Sequence, residues 1–216
     1  MIEALVARDS IHYNVFERVF DRVCQLSKQM GLHERGVVGA NPTPSDVERQ
    51  NVLWVLYSVD KQRIFMRGPP CRIYLFECHI QLPQAKNSGQ TLVAANLRLT
   101  CLVEGVYRHL YSPKASRNDT RIRQNNANRL NMRLENLVRQ FEDTLTSAEQ
   151  GSNVEMMLSL QLRYAFYVTE LLIHSKATDD QSKVRRLDIS RKALNIVQRL
   201  SSGSSMFDGY LAVLER

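Results

Sequence analysis

Two stretches of the chain place aromatic side chains on one face of a helix, at steps of three and four residues. The first set is Trp54, Tyr57, Asp60 and Ile64, and the second is Leu160, Tyr164, Tyr167 and Leu171. Such stripes usually pack in a core, but they also suit a cavity in which hydroxyls, an indole nitrogen and a charge orient a largely apolar molecule. Core and cavity look alike in sequence, so both stay open. The candidate ligand-binding residues are Trp54, Tyr57, Arg63, Tyr164 and Tyr167.

The other chemistry-bearing residues form no recognised catalytic or metal motif. The sequence has no G-x-S-x-G, H-E-x-x-H, P-loop or dinucleotide glycine pattern, so catalytic residues stay unknown and no cofactor is indicated. The histidines are scattered, and no two fall on neighbouring turns of one helix as a helical metal site needs. Cys71, Cys78 and His79 come nearest to a metal cluster, but they supply few ligands in an aperiodic segment. No metal is expected.

The stretch from Lys114 to Glu142 is rich in arginine. Its basic residues are Lys114, Arg117, Arg121, Arg123, Arg129, Arg133 and Arg139, and its acidic residues are Asp119, Glu135 and Glu142. Such a face could contact phosphates, but no aromatic side chains are interleaved for base stacking. A solvated helix face is therefore favoured, and we expect no direct nucleic-acid partner.

The composition is that of an ordinary globular protein. Of 216 residues, 44 % are hydrophobic and 24 % are charged, which disfavours a disordered chain, a fibrous repeat or an integral membrane protein. The net charge of +7 permits an anionic partner without indicating one. The four cysteines contain no C-x-x-C pair, so reduced thiols inside a cell are favoured over a disulfide framework. The N-terminal residues lack a secretory signal pattern, and no membrane association is expected.

Helical periodicity dominates the chain and predicts a single all-α domain over residues 1–216, a bundle of about six to seven helices. One predicted helix starts at an S-x-x-E capping box, Ser45 and Glu48, and ends before Arg67. Residues from about 67 to 90 have no helical period and predict a long extended loop. The other predicted helices cover about 10–30, 91–110, 118–146, 154–176 and 182–200, with a short apolar segment at 207–214.

The run from Leu53 to Pro70 carries a specific combination of residues, preceded by Gly31–His33 and Arg49 and closed by Ile80–Pro83. This pattern resembles the fungal-specific transcription factor domain, the helical middle homology region of fungal zinc binuclear cluster regulators. The matching residues are Trp54, Tyr57, Asp60, Pro69, Pro70, Leu82 and Pro83. The block Met157–Ser175 is similar to a later helix of that family, so the resemblance spreads over most of the chain.

The chain also departs from the family pattern. Arg67 and Gly68 stand in reversed order, Tyr74–His79 replaces an acidic run, Phe141 stands where tryptophan is common, and Ser175–Lys176 replaces an Arg-Pro pair. The six-cysteine zinc cluster that reads DNA in this family is missing, because four isolated cysteines cannot build it. The resemblance therefore implies a regulatory domain, abbreviated at either end, without the DNA-reading part.

Two functions remain open at this point. The resemblance implies a nuclear regulatory and interaction domain of a fungal transcription factor, which contacts the DNA-binding module of the same regulator or another protein and could sense a small apolar metabolite. The alternative is a stand-alone, cytoplasmic ligand-binding protein of secondary metabolism, or a cofactor-free cyclase or isomerase. Such an enzyme would work mainly through cavity shape and exclusion of water.

Overall fold

All regular secondary structure in the described residues is helical, which confirms the predicted all-α class. The computed structural model describes residues 13–33, 43–67, 71–74, 87–176 and 180–202. The chain forms two compact units, Met1–Leu82 and Pro83–Arg216. The middle of the predicted extended loop, 75–86, and the predicted apolar segment at 207–214 lie outside the described residues.

The first unit contains helix α1, Tyr13–Gln29, and helix α2, Pro44–Arg67. The sequence places the stop of α1 at Gly31, and the structure agrees. Gly31 has a positive φ of 64°, and the N–H groups of Gly31 and Leu32 donate to the carbonyls of Lys28 and Ser27 at 3.0 Å each. This pair of bonds satisfies the last carbonyls of the helix and turns the chain away from its axis.

The capping box predicted for α2 at Ser45 and Glu48 is wrong, because the helix starts two residues earlier. The Thr43 hydroxyl accepts the N–H of Asp46 at 3.2 Å, and the Asp46 carboxylate accepts the N–H of Thr43 at 3.0 Å. Pro44 occupies the first helical position, where its missing N–H costs no hydrogen bond. The reciprocal box is therefore formed by Thr43 and Asp46.

The second unit is a helical bundle. Its elements are α3 (Ser88–Val106), a π-helical turn (Tyr107–Tyr111), the short α4 (Pro113–Ser116), α5 (Thr120–Glu149), α6 (Asn153–Ser175) and α7 (Asp180–Ser202). Helix α3 packs against α5 and α6, and α6 packs against α5 and α7. The buried residues of α3 lie on most of its sides, as predicted for a central helix.

Side-chain caps fix where these helices begin. Asn87 accepts the N–H of Gln90 at 2.8 Å, so residues 88–90 are helical and the predicted extended loop is wrong there. Ser152 and Glu155 form a capping box at the start of α6. Hydrogen bonds from Ser88 and Ser152 lower the pKa of the Glu155 carboxyl. In the described ranges, none of the helices combines the length and apolar character needed to cross a bilayer.

Candidate functional site

The aromatic residues predicted for α2 lie together in the interior of the first unit. Trp54 and Tyr57 are both buried, and their rings meet edge to face with centroids 5.6 Å apart. The ammonium group of Lys61 lies 4.7 Å from the centre of the Tyr57 ring and 5.4 Å from that of Tyr74. The aromatic face of α2 is therefore a packed surface that carries a buried cation.

Asp60 ties α2 to the segment 71–74. Its buried carboxylate accepts the backbone N–H of Arg72 at 3.2 and 3.0 Å and that of Ile73 at 3.2 Å. The ammonium of Lys61 lies 3.2 Å from the same carboxylate and donates to the carbonyl of Ile73. Since a buried charge is tolerated only when it is paired and hydrogen-bonded, these contacts stabilise both charges.

Arg63, the candidate anchoring charge, belongs to the same network. Its guanidinium donates to Glu17 of α1 at 3.0 Å and lies 3.6 Å from Asp60. Arg72 also contacts Glu17, at 3.3 Å, and donates to Asp21. We call this network the Asp60 cluster, and its members are Glu17, Asp21, Asp60, Lys61, Arg63 and Arg72. The cluster contains three cations and three anions, so its charges balance, and its contacts join α1, α2 and the segment 71–74.

Cys24 lies beside this cluster and is buried. Burial and the negative charge of Asp60 raise the pKa of its thiol to about 12. A nucleophilic cysteine needs the opposite shift, because the thiolate is the reactive species. The side chain therefore behaves as a small apolar residue.

The two candidate tyrosines of α6 lie in the second unit. Tyr164 is 39 % exposed, and Tyr167 is half-buried and close enough to Lys192 of α7 to influence its pKa. The structure thus brings Trp54 and Tyr57 together and connects Arg63 to the Asp60 cluster. That these five residues bind a ligand stays a prediction.

A second polar network holds the helices of the second unit together. Arg163 of α6 donates to Glu149 at 2.5 Å and to Glu142 at 2.9 Å on α5. Arg199 of α7 also contacts Glu149, at 2.9 Å. Burial raises the pKa of Glu149, but hydrogen bonds from Arg199 and Arg163 outweigh it and leave the pKa lowered overall. These ion pairs join α5 to α6 and to α7. Sequence periodicity predicts the helices but not which of them contact each other.

The arginine-rich stretch follows α5, and its charges are largely exposed, as expected for a solvated face. Arg121, Arg129 and Arg133 are exposed, whereas Arg139 bonds to Asn136 at 2.8 Å. Asp119 caps the helix by accepting the N–H of Ile122 at 2.7 Å. Across the described residues, His, Cys, Asp and Glu side chains form no group of three that could hold a metal ion.

Comparison with known proteins gives one clear similarity. The chain is 30 % identical over 204 residues to "Transcription factor oryO" of Aspergillus oryzae, an alignment that covers 93 % of this chain and 25 % of that protein. The chain is related to a fungal transcription factor. It spans about a quarter of the length of this curated relative. No family model matches the chain, and no solved structure matches it significantly.

Proposed function

We propose that residues 1–216 act together as a regulatory and interaction region of a fungal transcription factor, of the type found in the fungal-specific transcription factor domain. The observation that carries this proposal is the similarity to a fungal regulator along 93 % of the chain. The 216 residues lack the six cysteines of a zinc binuclear cluster, so we assign the region to protein contact rather than to DNA reading. Its place of action would then be the nucleus.

The outward face of α7 offers a surface for such a contact. Its exposed aliphatic residues are Val184, Leu187, Leu194 and Val197, which are between 42 % and 70 % exposed. Their spacing of three, seven and three residues aligns them in one stripe along the helix. Ile189, Ala193 and Ile196 are buried on another side of the same helix. An aliphatic stripe of this kind suits an amphipathic partner helix.

The charge of α7 favours an acidic partner. The basic residues of the helix are Lys183, Arg185, Arg186, Arg191, Lys192 and Arg199, and its acidic residues are Asp180 and Asp188. Arg185, Lys192 and Arg199 form ion pairs within the chain, so Arg186 and Arg191 are the cations that remain for an acidic partner. A second copy of α7 would bring like charges together, whereas an acidic amphipathic helix would meet them with opposite charge. We therefore take an acidic amphipathic helix as the partner of this stripe.

The test is a transcription reporter in a filamentous fungus, with the chain fused to a heterologous DNA-binding domain. We expect the fusion to change reporter output several-fold, and L187E/L194E to restore the level of the DNA-binding domain alone. Lysine at the same two positions removes the apolar contact but keeps the attraction to an acidic partner. L187K/L194K should therefore reduce the effect on reporter output less than L187E/L194E does. The control is Met132→Glu, which places one glutamate at an exposed apolar position of α5.

Two results would count against this proposal. A wild-type fusion that leaves transcription unchanged would remove the regulatory role. An M132E fusion that loses as much as L187E/L194E would remove the assignment to α7. Circular dichroism of the purified variants checks that they are folded, so that a loss of reporter output is not caused by unfolding.

The proposal includes a small apolar metabolite as a regulatory ligand, on the support of the aromatic pair and of the family resemblance. Trp54, Tyr57, Arg63, Tyr164 and Tyr167 are the residues to test. A ligand that binds only the folded state raises the unfolding temperature, so a thermal-shift screen with fungal metabolite extracts, followed by mass spectrometry, would reveal it. Recovery of a chemically altered molecule would favour the cyclase or isomerase alternative. No shift with any extract would remove the ligand from the proposal.

A further inference from the structure

Basic side chains converge where the π-helical turn meets α5. The guanidinium of Arg108 lies 3.5 Å from the imidazole Nε2 of His109. Asn126 of α5 donates to the backbone carbonyl of His109 at 3.5 Å, which places this part of α5 against the turn. Arg129 and Arg133 follow Asn126 by three and seven residues, so they share its face of α5. We call Arg108, His109, Arg129 and Arg133 the His109 cluster.

The π turn fixes the position of this cluster. The N–H of Ser112 donates to the carbonyl of Tyr107 at 2.8 Å, five residues back, as in a π-helix. The hydroxyl of Tyr111 donates to the carbonyl of Leu172 at 2.7 Å and lies 2.6 Å from the Ser175 hydroxyl, which ties the turn to the end of α6. A π-helical segment is rare and is often found at functional sites, because it redirects side chains within a helix.

No carboxylate balances the cluster within the described part of the chain. Arg108, Arg129 and Arg133 take part in none of its ion pairs. Glu104 of α3 is buried, and Glu135 of α5 is held by Asn131 at 2.8 Å and Arg185 at 3.3 Å. Burial, together with the charges of Arg108, Arg129 and Arg133, lowers the pKa of His109. Arg129 and Arg133 lie on the face of α5 that carries Asn126, the residue that contacts His109.

We propose that the His109 cluster binds the phosphate group of a small phosphorylated molecule. Guanidinium groups donate paired hydrogen bonds that match the geometry of phosphate oxygens. The cluster lies at one contact between the π turn and α5, whereas a nucleic-acid backbone would need cations spread along the helix. Elsewhere on α5, Arg123 contacts Thr120 and Arg139 contacts Asn136. A single phosphate group is therefore the favoured ligand.

His109 provides the reporter for the test. Its pKa is measured by NMR of the imidazole proton in the purified chain, first in chloride and then in inorganic phosphate or sulfate at constant ionic strength. A bound dianion stabilises the imidazolium, so we expect both anions to raise the pKa of His109 above its value in chloride. Phosphate itself titrates near neutral pH, but sulfate does not. A change in the pKa of His109 in sulfate therefore cannot come from titration of the anion.

The variant R129Q/R133Q removes two charges that face His109, and Arg121→Gln removes one exposed charge from the same helix outside the cluster. Without phosphate, R129Q/R133Q should raise the pKa of His109, because repulsion is relieved. It should also weaken phosphate binding about tenfold or more, whereas R121Q leaves it within about twofold, since charge-assisted hydrogen bonds are local.

Three outcomes would overturn the proposal. The first is a pKa of His109 that is the same in phosphate as in chloride. The second is an equal loss of phosphate binding in R121Q and R129Q/R133Q, which would indicate general screening. The third is a short duplex DNA that binds with dependence on Arg121 as well as on the cluster, which would make the ligand a nucleic acid.

Discussion

The carboxylate of Asp60 accepts the backbone N–H of Ile73 at 3.2 Å in a site that is closed to solvent. The same carboxylate faces the buried ammonium of Lys61 at 3.2 Å. Asp60→Asn keeps the shape of the side chain but leaves this ammonium without its counter-charge. We expect a loss of about 3 kcal/mol or more in the free energy of unfolding, because breaking a buried ion pair leaves an uncompensated charge.

Urea unfolding followed by tryptophan fluorescence measures this loss, because Trp54 is the single tryptophan of the sequence and lies on α2, less than two turns before Asp60. Glu48→Gln removes an exposed carboxylate from the same helix and should change stability by less than about 0.5 kcal/mol. If the two variants unfold at the same urea concentration, the Asp60 cluster does not hold the first unit together.

The Asp60 cluster also shows how far the sequence could predict the site. The pattern Trp54, Tyr57 and Asp60 marks one face of α2, and its helical spacing indicated burial correctly. The backbone partners of Asp60 lie 12 and 13 residues away, and the Glu17 partner of Arg63 lies 46 residues away. Local periodicity carries no information on such pairings. No pattern in the sequence signals the contact between Arg63 and Glu17, and the ligand role of Arg63 stays a prediction.

Helices were predicted more accurately than their ends. Long apolar periods located α3, α5, α6 and α7 to within a few residues, because burial of one face decides where a helix forms. The start of α2 was misplaced because two overlapping capping patterns compete, and the one with proline at the first helical position prevails. The Ser152 and Glu155 capping box was visible in the sequence and would have located the start of α6.

Cys24 should resist alkylation in the folded protein. Its thiol has a pKa of about 12 and is only 2 % exposed, so little thiolate exists at about pH 8 and reagents cannot reach it. Iodoacetamide treatment followed by peptide mass spectrometry should leave Cys24 unmodified in the native chain and label it fully in concentrated urea. Equal labelling rates in the two conditions would show that the interior of the first unit is open to solvent.

Acid should weaken the second unit through Glu149. The folded state lowers the pKa of this carboxyl, so its contribution to stability is present above the ordinary carboxyl range and disappears as the pH falls through the folded pKa. Glu149→Gln cannot titrate, so its stability should depend less on pH. We expect E149Q to cost about 1 to 2 kcal/mol at about pH 7 and less at about pH 3.

Urea unfolding followed by far-ultraviolet circular dichroism, repeated across this pH range, measures the effect. Asp143→Asn removes an exposed carboxylate from the same helix and serves as the control, with a pH dependence like that of the wild type. An E149Q chain that loses stability in acid as steeply as the wild type would mean that other carboxylates carry the pH dependence.

Gly105 is the next-to-last residue of α3, where the helix continues into the π turn, and alanine should stabilise the protein there. A Cβ atom at this position would lie 3.6 Å from Cδ2 of Leu130, which is an ordinary van der Waals contact. Alanine also loses less backbone entropy than glycine on entering a helix, so G105A should raise the free energy of unfolding by about 0.5 to 1 kcal/mol. Thermal or urea unfolding measures this gain.

Gly151 provides the contrast, because a Cβ atom there would lie 2.8 Å from Oε2 of Glu155. That carboxylate accepts the backbone N–H of Ser152 at 3.2 Å, so alanine must push it out of the capping box of α6. We expect G151A to lower stability while G105A raises it, although both exchanges add one methyl group. A loss in G105A would mean that α3 and α5 are packed too tightly around Leu130 to admit that group, and the predicted gain in helix propensity would then be outweighed by strain.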